Sequence, residues 1–358
     1  MDLMANNVRG KRILVLGGTG AMGVYLVPLL QQNGARVYVT SRREHQSSDG
    51  LSYIVGNAHE LEFVRKCVAE TSPDAIVDFM NYKTPEFEQR AEYLANASGQ
   101  YVFLSSYRVF NDDSVITERS PRLLDTICDD KFLSSDIYPI AKARQEDIVT
   151  GGGGQWTIIR PCITYSKERF QFGCLEANTV CYRSLQNVPV VIPGEMLDKT
   201  TTMTWGGDVA KMLSRLILNP KAINQDFNVA TSESHTWREV LSYYAEIIGM
   251  RAVECTLDEY EKIISDHYHY QVIYDRMFNR RLDNSKILKA TGLRQDGFMG
   301  LKDGLKMELE WFKSHQYYSF LNVPENARMD KYCDAQINLA SLSAEDAKIY
   351  NEVRYGAE

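Results

Sequence analysis

Tyr138 and Lys142, in the stretch DIYPIAKARQE, stand four residues apart. On a helix that spacing puts a phenol and an ammonium on one face, where they could pass a proton to and from a substrate oxygen. The spacing alone does not separate a proton-transfer pair from two ordinary surface residues. Glycine forms a second group: ILVLGGTGAMG places Gly17, Gly20 and Gly23 directly after an apolar run and at the opening of an amphipathic one. Glycines there let the backbone turn tightly and approach a pyrophosphate, which the free N–H groups of a helix N-terminus then stabilise. A merely structural turn could carry the same glycines. A strand before them and a helix after them are the context that a dinucleotide site requires, and both flanks are present.

The elements that would hold these groups alternate. RILVL, RVYVT, SYIVG, DAIVDF, QYVFLSS and WTIIRP read as strands, and between them AMGVYLVPLLQQNG, AHELEFVRKCVAE, PEFEQRAEYLANASG and DIYPIAKARQEDIVT have helical periodicity. This alternation predicts an α/β fold, a doubly wound parallel sheet of the Rossmann type. The glycine run 151–154 ends the Tyr138 helix and allows the return into WTIIRP. After about residue 165 the alternation dissolves into loops, NVPVVIPGE and the helices GDVAKMLSRLILN and TWREVLSYYAEIIG. We therefore expect a dinucleotide-binding domain over 11–165 with 205–230 returning to it. A smaller, discontinuous C-terminal substrate lobe is expected over 166–204 and 231–312, with a C-terminal extension over 313–358. The last stretch reads as a capped helix, Ser343 being the N-cap with Asp346 three residues on.

The bulk properties set the class. With 358 residues, 44% of them apolar, the chain can bury a sizeable core. A net charge of −7 without long charge runs gives no basic footprint for nucleic acid. The opening MDLMANNVRGKR has no apolar signal core, and no run of eighteen apolar residues occurs, so a cytoplasmic protein without membrane contact is expected. Seven cysteines without a CxxC pair fit reduced thiols, most of them core packers. His267 and His269 could share one face of a strand, but no third ligand accompanies them and no metal is expected.

The second strand ends in RVYVTSRRE, with Ser41 where an NAD-binding fold usually carries an acid for the adenosine ribose. A carboxylate would repel the 2′-phosphate of NADP, whereas Arg42 and Arg43 could pair with it. A solvated basic turn is the plainer alternative. The residues favour NADP(H) over NAD(H).

Taken together, these stretches resemble the extended short-chain dehydrogenase/reductases, the NAD(P)-dependent epimerase/dehydratase group that acts on nucleotide sugars. The resemblance runs over roughly residues 11 to 312. Gly17, Gly20 and Gly23 match its Gly-x-x-Gly-x-x-Gly, VGN its Gly-Asp at adenine, FLSSYRVFN its Ser-Ser-x-x-Val-Tyr-Gly and YPIAK its Tyr-x-x-x-Lys. IIRPCITY resembles the Arg-Pro segment beside the nicotinamide, GDVAKML the Asp-Val-Ala helix and LDNSKILKATGL the late Asp-x-Ser-Lys segment. Seven matches in family order are far more specific than any one of them.

The resemblance implies that Tyr138 is the acid/base at the sugar hydroxyl or ketone. Lys142 would ease its proton loss by positive charge and hold the nicotinamide ribose. Ser106 would hydrogen-bond the reacting oxygen, with Ser105 as the fallback. It also implies a cofactor site of Gly17, Thr19, Gly20, Ala21, Met22, Gly23, Ser41, Arg42, Arg43, Asn57, Ala58, Phe79, Met80, Asn81 and Lys83, completed by Tyr138, Lys142, Pro161, Cys162 and Ile163. On the substrate side it points to Ser106, Tyr107, Asn178, Lys199 and Arg276, with Arg280 and Arg281 as further phosphate candidates. Cys162 would lie near the nicotinamide, more as a small buried residue than as a reactant.

Departures narrow the activity. Tyr107 and Arg108 stand where the dehydratase branch has Asp-Glu, so dehydration is not expected. Thr201 stands where many relatives have an arginine for the diphosphate, leaving Lys199 as a substitute. Asn57 replaces the adenine-contacting aspartate, and Met80 and Asn81 replace small residues along the cofactor path. Thirty-one residues separate Ser106 from Tyr138, enough for an elaborated substrate loop. The expectation is a homodimeric nucleotide-sugar epimerase working through a keto-sugar intermediate. Its alternatives are an NADPH-dependent 4-ketosugar reductase and a non-catalytic relative that senses NADP or binds RNA.

Overall fold

The computed structural model describes residues 7–167, 169–316, 318 and 320–356. The first six residues of the opening stretch and the last two of the terminal one lie outside the described residues. The chain divides into two compact units. The first comprises the residues up to Thr164 together with Met203–Ser232 and Leu282–Met299; the second comprises Tyr165–Thr202, Glu233–Arg281 and the chain from Gly300 onward.

The first unit is built on seven strands: β1 (Arg12–Leu16), β2 (Arg36–Ser41), β3 (Leu51–Val55), β4 (Ala75–Asp78), β5 (Tyr101–Leu104), β6 (Trp156–Pro161) and β7 (Gln225–Val229). They lie in the order β7-β6-β5-β4-β1-β2-β3, every pairing parallel. This is the doubly wound Rossmann sheet that the alternation predicts. Apolar side chains leave both faces, as a sheet covered on both sides requires. Ile13 and Val15 of β1 pack with Leu26 and Leu30 of α1 (Gly23–Gln32) and with Val209 and Leu213 of α6 (Gly206–Leu216). Leu14 and Leu16 face the other way, into a cluster with Val64 of α2 (Leu61–Thr71), Phe87 of α3 (Thr84–Glu88), Leu94 of α4 (Ala91–Asn96) and Val149 of α5 (Tyr138–Gly151).

PEFEQRAEYLANASG forms two short helices instead of one. Arg90, at φ −124°, interrupts it because its guanidinium turns inward to the carbonyls of Ala58 and His59 and to Glu86. After α5, Gly153 and Gly154 both have positive φ, and a side chain on Gly154 would run into the Ala95 carbonyl. The glycine run is therefore needed for the return into β6.

The second unit is mainly helical around short strand pairs. Buried Arg183 binds buried Asp330, which also accepts from Tyr350 Oη and from the Ile337 amide. The terminal helix Ala344–Tyr355 begins at the expected cap, Ser343 Oγ accepting from the Asp346 amide. Among the described residues no helix is long and apolar enough to cross a membrane, and the seven cysteines are free thiols.

Candidate active site

Leu16 ends β1, and the chain turns at Gly17, whose φ of +69° favours glycine. The Gly17 amide donates to Thr40 Oγ1 of β2, which fixes the turn against the sheet. At Gly23 a methyl group would collide with the carbonyl of Gly18, so this glycine lets α1 approach the turn closely. Gly20 differs: it is exposed, and a methyl group there would meet no atom within 4 Å. A bare backbone facing open space at the start of a helix suits a pyrophosphate. Thr19, Ala21 and Met22 are partly exposed along the same turn. Met80 Sδ lies over Gly17, where a Cβ would be 2.9 Å from it, so the large residue expected along the cofactor path does stand against the glycine turn.

Ser41 closes β2 and its hydroxyl accepts from the Arg43 amide, a short turn that leaves Arg42 and Arg43 exposed. Neither arginine forms an ion pair among the described residues. Asn57 starts the turn into α2, its Oδ1 accepting from the His59 amide, and Ala58 beside it is buried. Phe79 is partly buried and Asn81 exposed. Lys83 donates to the Asp136 carbonyl, two residues before Tyr138. Asp136 also accepts from the Thr84 amide and hydroxyl, which pins the entry of α5 to the start of α3.

Pro139 in the first turn of α5 suits a helix start. Tyr138 is partly exposed, while Lys142 one turn on is fully buried, its Nζ 3.4 Å from the Met80 carbonyl and 4.9 Å from the Phe103 ring centre. The two share a face of the helix, with Nζ 5.9 Å from the Tyr138 ring centre. Burial pushes the Lys142 ammonium down to about 8, while Asp78 and Glu146 pull it back up. Asp78, the last residue of β4, accepts from Tyr101 Oη at 2.8 Å, from Tyr82 Oη at 3.2 Å and from the Met80 amide at 3.0 Å. Burial raises its carboxyl above the usual range, with those donors and Lys142 opposing.

The two serines after β5 separate by partner. Ser105 Oγ donates to Glu146 of α5, and Glu146 is bound by Arg160 of β6 at 2.7 and 2.9 Å. Arg160 continues to Asp226 of β7, which Lys286 also holds. Among the described residues Ser106 Oγ accepts only a 3.2 Å bond from the Arg108 amide, so its proton is available to another acceptor. Arg108 follows in the same turn, its Cζ 5.3 Å from the Tyr138 ring centre. On β6 and after it, Pro161, Cys162 and Ile163 are buried. Burial pushes the Cys162 thiol up to about 12, and its Sγ contacts Thr204 Oγ1 at 3.0 Å, which suits packing better than reaction.

The expected substrate residues fare unevenly. Asn178, in the second unit, is 6% exposed, and its Nδ2 has no hydrogen-bond partner among the described residues. Lys199 is partly exposed. Arg276 does not suit the phosphate role: it is 2% exposed, with its guanidinium on the Gly173 carbonyl, Gln171 Oε1 and Asp275. Arg280 is likewise buried on Asp275. Tyr107 is buried rather than open to a ligand. His269 pairs with Glu261, and among the described residues no group of three or more potential ligands is placed to hold a metal. Asp78 and Glu146 stand in no motif of the sequence, and Arg160 stands only in the Arg-Pro segment IIRPCITY. Glu146 does carry a spacing signal, one further helical turn beyond Lys142.

The model of the NAD dependent epimerase/dehydratase family matches residues 13–230, and the chain belongs to that family. This establishes the resemblance to the extended short-chain dehydrogenase/reductases. A curated relative, the chloroplast stem-loop binding protein of 41 kDa b of Arabidopsis thaliana, is 21% identical over 239 residues, 62% of this chain and 58% of that protein. The chain thus spans less than two thirds of that relative's length. An epimerase from Methanothermobacter thermautotrophicus superposes with a TM-score of 0.67 at 14% identity, over 87% of this chain and 95% of the other. The UDP-glucose 4-epimerase of Thermus thermophilus, solved with NAD, gives 0.60 at 20% identity, over 84% and 99%. These structures share the fold.

Proposed function

We propose that this chain is an NAD(P)-dependent nucleotide-sugar epimerase working through a keto-sugar intermediate. The observation that carries the reading is a partly exposed Tyr138, a buried Lys142 on the same helix face and, in the turn after the interior strand β5 that reaches the Tyr138 ring through Arg108, a Ser106 hydroxyl with a spare proton. A dinucleotide held at the turn of Gly17, Gly20 and Gly23 would supply reversible hydride acceptance at the sugar carbon. Tyr138 takes the proton of the sugar hydroxyl and gives it back. Ser106 donates to the reacting oxygen, and Lys142 places positive charge beside the phenol and holds the ribose. Asn178, whose buried Nδ2 has no hydrogen-bond partner among the described residues, is the proposed donor to the nucleotide sugar.

Exposed Arg42 and Arg43, with Ser41 in place of an acid, favour NADP(H). The NAD bound by the Thermus epimerase favours NAD(H). A consumed NADPH would accompany net reduction of a ketosugar, the alternative within the same site. The Arabidopsis relative, named for stem-loop binding, supports a second reading in which the fold binds RNA.

One substitution separates these readings. Tyr138→Phe should abolish turnover of a panel of UDP- and GDP-sugars and their 4-keto forms while leaving dinucleotide affinity unchanged. Undiminished turnover would overturn the assignment. A wild-type protein that converts none of them and retains a structured RNA would favour the binding reading.

A further inference from the structure

We propose that Asp78 is the positioning residue for Lys142: the carboxylate held at the end of β4 by Tyr101, Tyr82 and the Met80 amide is the counter-charge that keeps the buried ammonium charged and directed at the Met80 carbonyl. The proposal rests on the reading of Lys142 as part of the active site.

An ammonium with no solvent exposure needs an opposite charge to stay protonated. The ionisable groups facing it are few. Glu146 and Tyr138 lie on its own helix, Asp78 on β4, Tyr101 on β5 and Tyr82 in the loop after β4, with the Arg90 Cζ 4.3 Å from the Tyr82 ring centre. Glu146 is already paired with Arg160 through both carboxylate oxygens. Asp78 has no ion-pair partner within 4 Å among the described residues. Its three donors are neutral, and together they hold its orientation.

The two charges are joined through the backbone of one residue, Met80. The Met80 amide donates to Asp78 Oδ1 at 3.0 Å, and the carbonyl of the same residue accepts from Lys142 Nζ. Phe103, whose ring lies under the Lys142 ammonium, is the register partner of Asp78 on β5. The directions agree: Asp78 is the largest influence raising Lys142, and Lys142 is among those lowering Asp78. Two such groups titrate as a pair.

The test reads the charge of Lys142 without turnover. In lysine-labelled full-length protein the 13Cε resonance of Lys142, assigned by its loss in Lys142→Arg, is followed against pH. Its midpoint should lie near 8 in the wild type. In Asp78→Asn it should fall by about one unit or more, the scale of losing a close opposite charge. Tyr101→Phe, which removes one donor and leaves the carboxylate, should move it down by less and serves if Asp78→Asn does not fold. A wild-type midpoint in whichever of these variants folds would overturn the proposal. Because no substrate is present, the titration decides the role of Asp78 separately from Tyr138→Phe, which decides the catalytic reading.

Discussion

Gly20 gives the cleanest separation of binding from folding. Its φ is not in the positive range, so alanine can adopt the same backbone, and its methyl group would meet no atom within 4 Å. A glycine-to-alanine change at a compatible position narrows the unfolded ensemble and stabilises by about 0.4–1 kcal/mol. Gly20→Ala should therefore unfold in urea at the wild-type midpoint or slightly above it. The space the methyl group fills is where the backbone would approach a pyrophosphate. Dinucleotide affinity, measured by calorimetric titration, should fall at least tenfold, about 1.4 kcal/mol. Gly23→Ala is the contrast. Its methyl group would collide with the Gly18 carbonyl, so it should cost about 1–3 kcal/mol of stability as well as binding. Gly20→Ala protein that binds NADP and NAD as tightly as the wild type would refute the placement of the cofactor.

Ser106→Ala should lower kcat by about 10²-fold or more, as loss of a donor to the reacting oxygen does. Ser105→Ala should act mainly on stability, because its hydroxyl serves Glu146; the reverse pattern in steady-state kinetics would exchange the two serines. Arg160→Met leaves buried Glu146 with Arg122 at 3.8 Å in place of its closer, bidentate arginine and should cost about 3 kcal/mol in urea unfolding. Alkaline stability follows from the thiols. Burial raises Cys67 to about 11 and Cys162 and Cys255 to about 12, above the ordinary 9.0, so the unfolded chain loses these protons first. Stability should be intact below pH 9 and fall as pH rises through the 9–12 window. Each thiol contributes up to about 1.4 kcal/mol per pH unit, and Lys142 opposes as a single group between 8 and 10.5. Urea midpoints at pH 8 and pH 10 check the sign, and Cys162→Ala should flatten the slope.

Most of the sheet was legible because its strands are apolar on both faces and short, and the glycine turn was legible because few residues other than glycine fit it. β7 was missed as a strand. Its residues QDFNV include Asp226, which answers Arg160 and Lys286, and Asn228, whose amide reaches the Ile116 carbonyl. Polar residues with buried partners leave no periodic apolar signal. Arg276 shows the converse. In sequence a cation suggests an anionic ligand, but here Asp275 beside it supplies the anion. Asp78 was invisible because a carboxylate at the end of a strand announces nothing until Tyr82 and Tyr101 are seen to converge on it.

The most direct test of the hydride-transfer account is to denature freshly purified protein and identify any released dinucleotide by mass and absorbance. Stoichiometric oxidised NADP or NAD would fit an epimerase that regenerates its cofactor in every turnover, and an empty protein that binds added NADPH far better than NADH would fit the reductase form of the same site. A protein that carries neither dinucleotide and binds neither when it is added would contradict the account.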